Sequence, residues 1–205
     1  MLDLGRKSRV VNVKTKQDNM TIGNQGQSQR YPKNILLVET TGSGERMNIW
    51  AETRWNKRYH NNGVRKGLRL KCDPDIDDEV RRACKEFCKW LRTRYCFPIR
   101  IPIYLKASDT IKAKDGDMVC GTFFEPDDPM VEPYIRIATG DYELMQKKYG
   151  KDNALASILQ SIAHEITHYY QWVNGIQLTE CGYERQAKRY ARLILDEYAE
   201  TREHP

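Results

Sequence analysis

The chain contains no run of about 18 apolar residues, the length a membrane-spanning helix requires. Its opening MLDLGRKSRV also lacks the continuous apolar stretch that follows the basic residues of a secretory signal. A cytoplasmic protein with no membrane partner is therefore expected. Glycine and proline are scarce, 13 and 8 of 205 residues, which excludes a collagen-like or low-complexity chain, and no internal repeat is visible. Six cysteines do not make the dense framework of a small disulfide-stapled domain, and Cys84 and Cys88 fall inside a helical pattern, so reduced thiols are expected. The glycines of GSGE at 42–45 lack the Gly-Lys-Ser/Thr ending of a phosphate loop, so no nucleotide is implied.

What is present suits one substantial core. Residues 1–70 carry 14 Lys and Arg against 5 Asp and Glu, whereas the remainder is on balance acidic. Such a basic front suits nucleic acid, an acidic partner or a solvated surface. Residues 1–30 are polar, rich in Gln and Asn, and predict a flexible tail. Residues 31–70 form a basic, hairpin-like segment, because NILLVET and RMNIWAETRW flank the turn-forming TGSGE.

Residues 73–98 predict a helix, with acidic residues in its first turn, Pro98 beyond its end, and Ile76, Val80, Ala83, Cys84, Phe87, Leu91 and Tyr95 spaced as one stripe. Cys84 is read as a small buried hydrophobe of that stripe. Strands are expected in IRIPIYLK, MVCGTFFE and PYIRIAT, making a small, mostly antiparallel or mixed sheet. Two helices follow, from about Asp152 as cap to Asn174 and from about Thr179 to Thr201. The fold class is α+β.

The first of these helices contains HEITH. At about 100° per residue, His164 and His168 project from one side one turn apart, so both imidazoles can share an ion, while Glu165 is turned too far to join them and is placed for general-base work on a water. The stripe Leu155, Ile158, Leu159, Ile162, Ile166, Tyr169 and Val173 lies nearly opposite the histidines, which share their side with Ser157, Ser161 and Gln171. That wheel predicts a buried back and a front lining a cleft; the alternative is a merely solvated pair of histidines. A catalytic Zn2+ needs a third protein ligand. No histidine lies between His168 and His204, which excludes the usual short-range histidine third ligand and brings a carboxylate into consideration. Glu184 is chosen because it lines up with Ala187 and Ala191, whose small side chains permit close helix approach, and Glu180 one turn earlier is the alternative.

With HEITH followed by ERQAKRYA, the chain resembles the zincin metallopeptidases and, more narrowly, the gluzincins, in which a second helix donates a glutamate. It is similar to minigluzincins and ImmA/IrrE-like domains over about residues 75–200. The resemblance implies a zincin-like metallopeptidase domain at 71–205, with a backing helix, an HExxH helix and a C-terminal glutamate helix. It makes His164, His168 and Glu184 zinc ligands and Glu165 the general base or acid. It also implies that a strand before the metal helix, MVCGTFF or PYIRIAT, rims the cleft. HYYQW is similar to SprT-like proteases, whose third histidine this chain lacks.

The expected function is zinc-dependent endopeptidase activity on an intracellular protein or peptide that adds as a strand to the sheet edge. Tyr183 or Tyr190 is the candidate donor to a tetrahedral oxyanion, against a plain packing role for each. The alternative function is a zinc-stabilised module whose basic segment, with Trp50, Trp55 and Tyr59 among cations, binds nucleic acid. Latency is a third expectation, with residues 1–30, Cys181 or His204 covering the metal.

Overall fold

The computed structural model describes residues 10–12, 39–40, 46–51, 65–114, 116–127 and 131–201. Along the chain run β1 (Val10–Asn12), β2 (Glu39–Thr40), β3 (Arg46–Met47), β4 (Leu68–Cys72), α1 (Asp78–Arg94), β5 (Ile101–Lys106), β6 (Ile111–Lys112), β7 (Met118–Val119), β8 (Gly121–Phe124), β9 (Tyr134–Ala138), α2 (Tyr142–Tyr149), α3 (Lys151–Val173) and α4 (Glu180–Glu200). The fold is α+β around a mixed five-stranded sheet of order β1-β8-β9-β5-β4. β4, β5 and β9 are parallel, β8 runs antiparallel to β9, and β1 runs antiparallel to β8. Two short hairpins, β2–β3 and β6–β7, stand beside it.

Helix α1 starts where the Asp77 side chain accepts from the amides of Glu79 and Val80, satisfying donors that the first turn leaves free. Its stripe, Val80, Ala83, Cys84, Phe87, Cys88 and Leu91, is buried. Ile101, Ile103 and Leu105 of β5, Ile135 and Ile137 of β9, and Ile158, Ile162 and Ile166 of α3 complete the core. Each such side chain contributes about 1.5–3 kcal/mol on leaving water. The Tyr169 hydroxyl donates to the Ile99 carbonyl at 2.7 Å and receives the Ile99 amide at 3.1 Å, and Tyr170 donates to the Cys96 carbonyl at 3.0 Å. These bonds clamp the loop after α1 onto α3. Among the described residues no helix is long and apolar enough to cross a membrane.

Several expectations need correction. The helix carrying HEITH is capped at Gly150, not Asp152: Gly150 adopts φ 83°, a left-handed conformation open to glycine, which ends α2 and starts α3 without a linker. Helix α2 itself was not expected, since Tyr142 is its one buried residue and it shows no apolar stripe. MVCGTFFE is broken at Cys120 into β7 and β8. The boundary at 70/71 falls inside β4, which pairs along its length with β5. Val10–Asn12, within the expected tail, pairs with β8. β2 and β3 do pair as a hairpin, but Ile49 and Trp50 after them sit in a turn and are only 1% exposed.

Candidate metal centre

His164 and His168 lie in the middle of α3 with their Nε2 atoms 3.0 Å apart. Helix α4, in which Ala187 and Ala191 are buried, packs along α3 and carries Glu184 to the same point. Glu184 Oε2 lies 3.5 Å from His164 Nε2, and Oε1 lies 3.2 Å from His168 Nε2. Among the described residues this is the one group of three or more His, Cys, Asp or Glu side chains whose ligand atoms gather, here within 4.8 Å.

A tetrahedral ion with bonds of about 2.0–2.2 Å to nitrogen and oxygen sets its donors about 3.3 Å apart. The three nearest separations straddle that value. Although His168 Nε2 is close to Glu184 Oε1, it is not aligned to donate, and that oxygen is buried without a hydrogen-bond partner. An orphaned charged oxygen is costly, by about 1–3 kcal/mol or more, and a cation amid the three side chains would satisfy it. The donor set therefore fits a divalent ion.

Burial acts to raise the Glu184 carboxyl, but the adjoining His164 and His168 imidazoles outweigh it and hold it down at about 2. The histidines diverge. Burial pushes His164 down, whereas for His168 the pull of Glu184 and Glu165 overcomes burial and moves it up. Glu184 is the member whose direction follows from both imidazoles at once, and it stays ionised.

Glu165 points elsewhere, into β8, and is 1% exposed. Burial, reinforced by the Glu184 charge, pushes its carboxyl up to about 8, against the opposing effects of His168 and a hydrogen bond from the Phe123 backbone. Its Oε2 is buried with no partner. A Cβ on Gly121 would stand 2.9 Å from Glu165 Oε1 and 3.1 Å from Ile137 Cδ1, so the bare backbone there is what admits the carboxylate.

No family model, curated protein or solved structure matches the chain. Of the expected residues, His164, His168 and Glu184 come together, while Glu180 is exposed and outside the group. The strand beside Glu165 comes from MVCGTFF, not PYIRIAT. The front of α3 does not line an open cleft as its wheel implied: His164 is 5% and His168 2% exposed, because α4 covers that side. The Tyr183 hydroxyl donates to the Ile176 carbonyl at 2.6 Å, and the Tyr190 hydroxyl receives the Ile49 amide at 3.4 Å. Cys181 is exposed beside Arg185 and is not a member of the group.

Trp50 is taken from any nucleic-acid role by burial. Its indole donates to Thr167 at 3.1 Å and its ring packs on Tyr95 and Tyr170. Trp55, Tyr59, His204 and most of residues 1–30 lie outside the described residues.

The sequence reading placed Gln171 on the histidines' side of the helix but gave it no role, and did not single out Gln186, Gly121 or Phe123 as parts of the site. His168 Nδ1 is 2.7 Å from Gln171 Oε1, and Gln171 Nε2 donates to the Tyr183 carbonyl at 3.1 Å and to Gln186 Oε1 at 2.8 Å. The i,i+3 spacing of His168 and Gln171 was a usable signal, as was a glycine inside a strand pattern. Nothing local pointed to Gln186 or to the Phe123 amide.

Proposed function

We propose that this chain is a zinc-dependent endopeptidase that hydrolyses peptide bonds in an intracellular protein or peptide, with a zincin-like domain of gluzincin type. The observation that carries this reading is the pairing of a three-donor cluster with a second buried carboxylate of opposite character beside it. His164, His168 and Glu184 hold the metal; two imidazoles and a carboxylate are a donor set of catalytic zinc. When bound, zinc supplies Lewis acidity, polarising a carbonyl and making water more acidic. Glu165, in its ionised form, would take at Oε2, the oxygen without a partner, a proton from the water whose oxygen adds to the scissile carbonyl, and would return it to the amine as the C–N bond breaks. Its environment favours the protonated form over an ordinary carboxylate, and β8 holds it in place through the Phe123 amide.

The substrate adds as an extended strand to β8, the strand against Glu165. In the free chain the outer edge of β8 is paired with Val10–Asn12, in the register Val11 to Phe123. Substrate and this segment therefore compete for the same backbone groups, and the N-terminal segment restrains activity.

The test is metal analysis of never-chelated protein together with cleavage of a denatured, fluorescein-labelled casein probe and a peptide library. About one zinc per chain is expected in the wild type and in Glu165→Gln, with cleavage lost only in the variant. Protein that arrives metal-free and refuses added zinc, or a variant cleaving at the wild-type rate, overturns the proposal.

A further inference from the structure

We infer that Gln171 is a positioning residue that sets the tautomer of His168, and that α4 enforces this from the far side through the Tyr183 carbonyl and Gln186. A carboxamide can sit either way round, and its neighbours decide which. The Tyr183 carbonyl can only accept, so the Gln171 atom 3.1 Å from it is the nitrogen. The second N–H of that nitrogen goes to Gln186 Oε1 at 2.8 Å. Gln171 Oε1 is thereby turned towards His168 Nδ1, 2.7 Å away. An amide oxygen cannot donate, so Nδ1 carries the proton and the neutral ring keeps its lone pair on Nε2. Nε2 is the atom that faces His164 and Glu184.

The reversed amide would set an oxygen against the Tyr183 carbonyl, two acceptors with no proton between them. Gln171 is 2% and Gln186 7% exposed, so little water is at hand to relieve such a mismatch. Helix α4 thus acts on the cluster twice, delivering Glu184 and orienting the partner of His168. The link to metal affinity rests on the proposed zinc site; the tautomer itself is a property of the metal-free chain.

The test uses metal-free, full-length protein with 15N-labelled histidine, at alkaline pH where imidazole is neutral, and reads the tautomer from long-range proton–nitrogen correlations. Zinc affinity is measured separately by competition with a chromogenic chelator. The wild type is expected in the Nδ1–H form. Gln171→Met, similar in shape but without an acceptor, should populate Nε2–H and weaken zinc binding about 10- to 100-fold. Gln171→Glu keeps an acceptor at Nδ1 while losing both donors to α4. It should melt at a lower temperature yet retain the Nδ1–H form and bind zinc more tightly than Gln171→Met. An Nε2–H wild type, or equal affinities for the Met and Glu variants and the wild type, overturns the inference. Absence of zinc binding in a wild type whose tautomer still shifts in Gln171→Met sinks the metallopeptidase reading and leaves the role of Gln171 standing.

Discussion

Glu165 and Glu184 are the same residue type at the same centre, yet the protein treats them in opposite ways. Glu165, on α3 and pressed against β8, is pushed up to about 8 by burial; Glu184, on α4 beside two imidazoles, is held down at about 2. Each also has one buried oxygen without a hydrogen-bond partner. A carboxyl in an apolar wall favours its neutral form, and a carboxyl among potential cations favours its charged form. In the proposed reading the ionised group suits holding a metal, and the poised group suits carrying a proton.

The sharpest way to break this comparison is to exchange charge for neutrality at each carboxylate in turn. Glu165→Gln should lower turnover by about 10²- to 10⁴-fold with zinc retained. Glu184→Gln should release zinc into chelator well before the wild type does. Equal zinc content in the two variants would erase the distinction.

Trp50→Ala should damage both sides together, because the turn at 48–51 bonds to Thr167 of α3, to Asn174 at its C-cap and to Tyr190 of α4. Removing a fully buried indole should cost about 3–5 kcal/mol, measured by urea unfolding of the metal-free protein. Gly121→Ala acts on one side alone. The added methyl would crowd Glu165 Oε1 and the Ile137 side chain, and displacement of the proton carrier should cost about 10²-fold in turnover while zinc titration is unchanged. The smallest effect is expected from deleting residues 1–30, which frees the outer edge of β8. A rise of a few fold in kcat/KM on the casein probe is expected, since one short strand is a weak competitor. A fall would mean that β1 supports the sheet and restrains nothing.

Much of the helical framework was legible. The stripe expected from Ile76 to Tyr95 is buried as far as Leu91, although Ile76 precedes α1 and Tyr95 is its half-buried C-cap, and Thr179 does cap α4, its side chain accepting from the Gly182 amide. β4 was harder to read because Arg69 and Lys71 alternate with Leu68 and Leu70, and a one-sided strand next to a basic run looks like part of that run. Ile49 and Trp50 appeared to continue a hairpin, but their burial depends on α3 and α4, which lie more than a hundred residues further on.

The helical period alone put His164 and His168 on one side and turned Glu165 away from them, because that relation depends on about 100° per residue and nothing else. Everything that distinguishes the two carboxylates arose from contacts between distant segments. Desolvation by β8, two imidazoles meeting Glu184, and an amide oriented by the Tyr183 carbonyl are matters of distance and dielectric surroundings. Those quantities do not exist along a chain until it has folded.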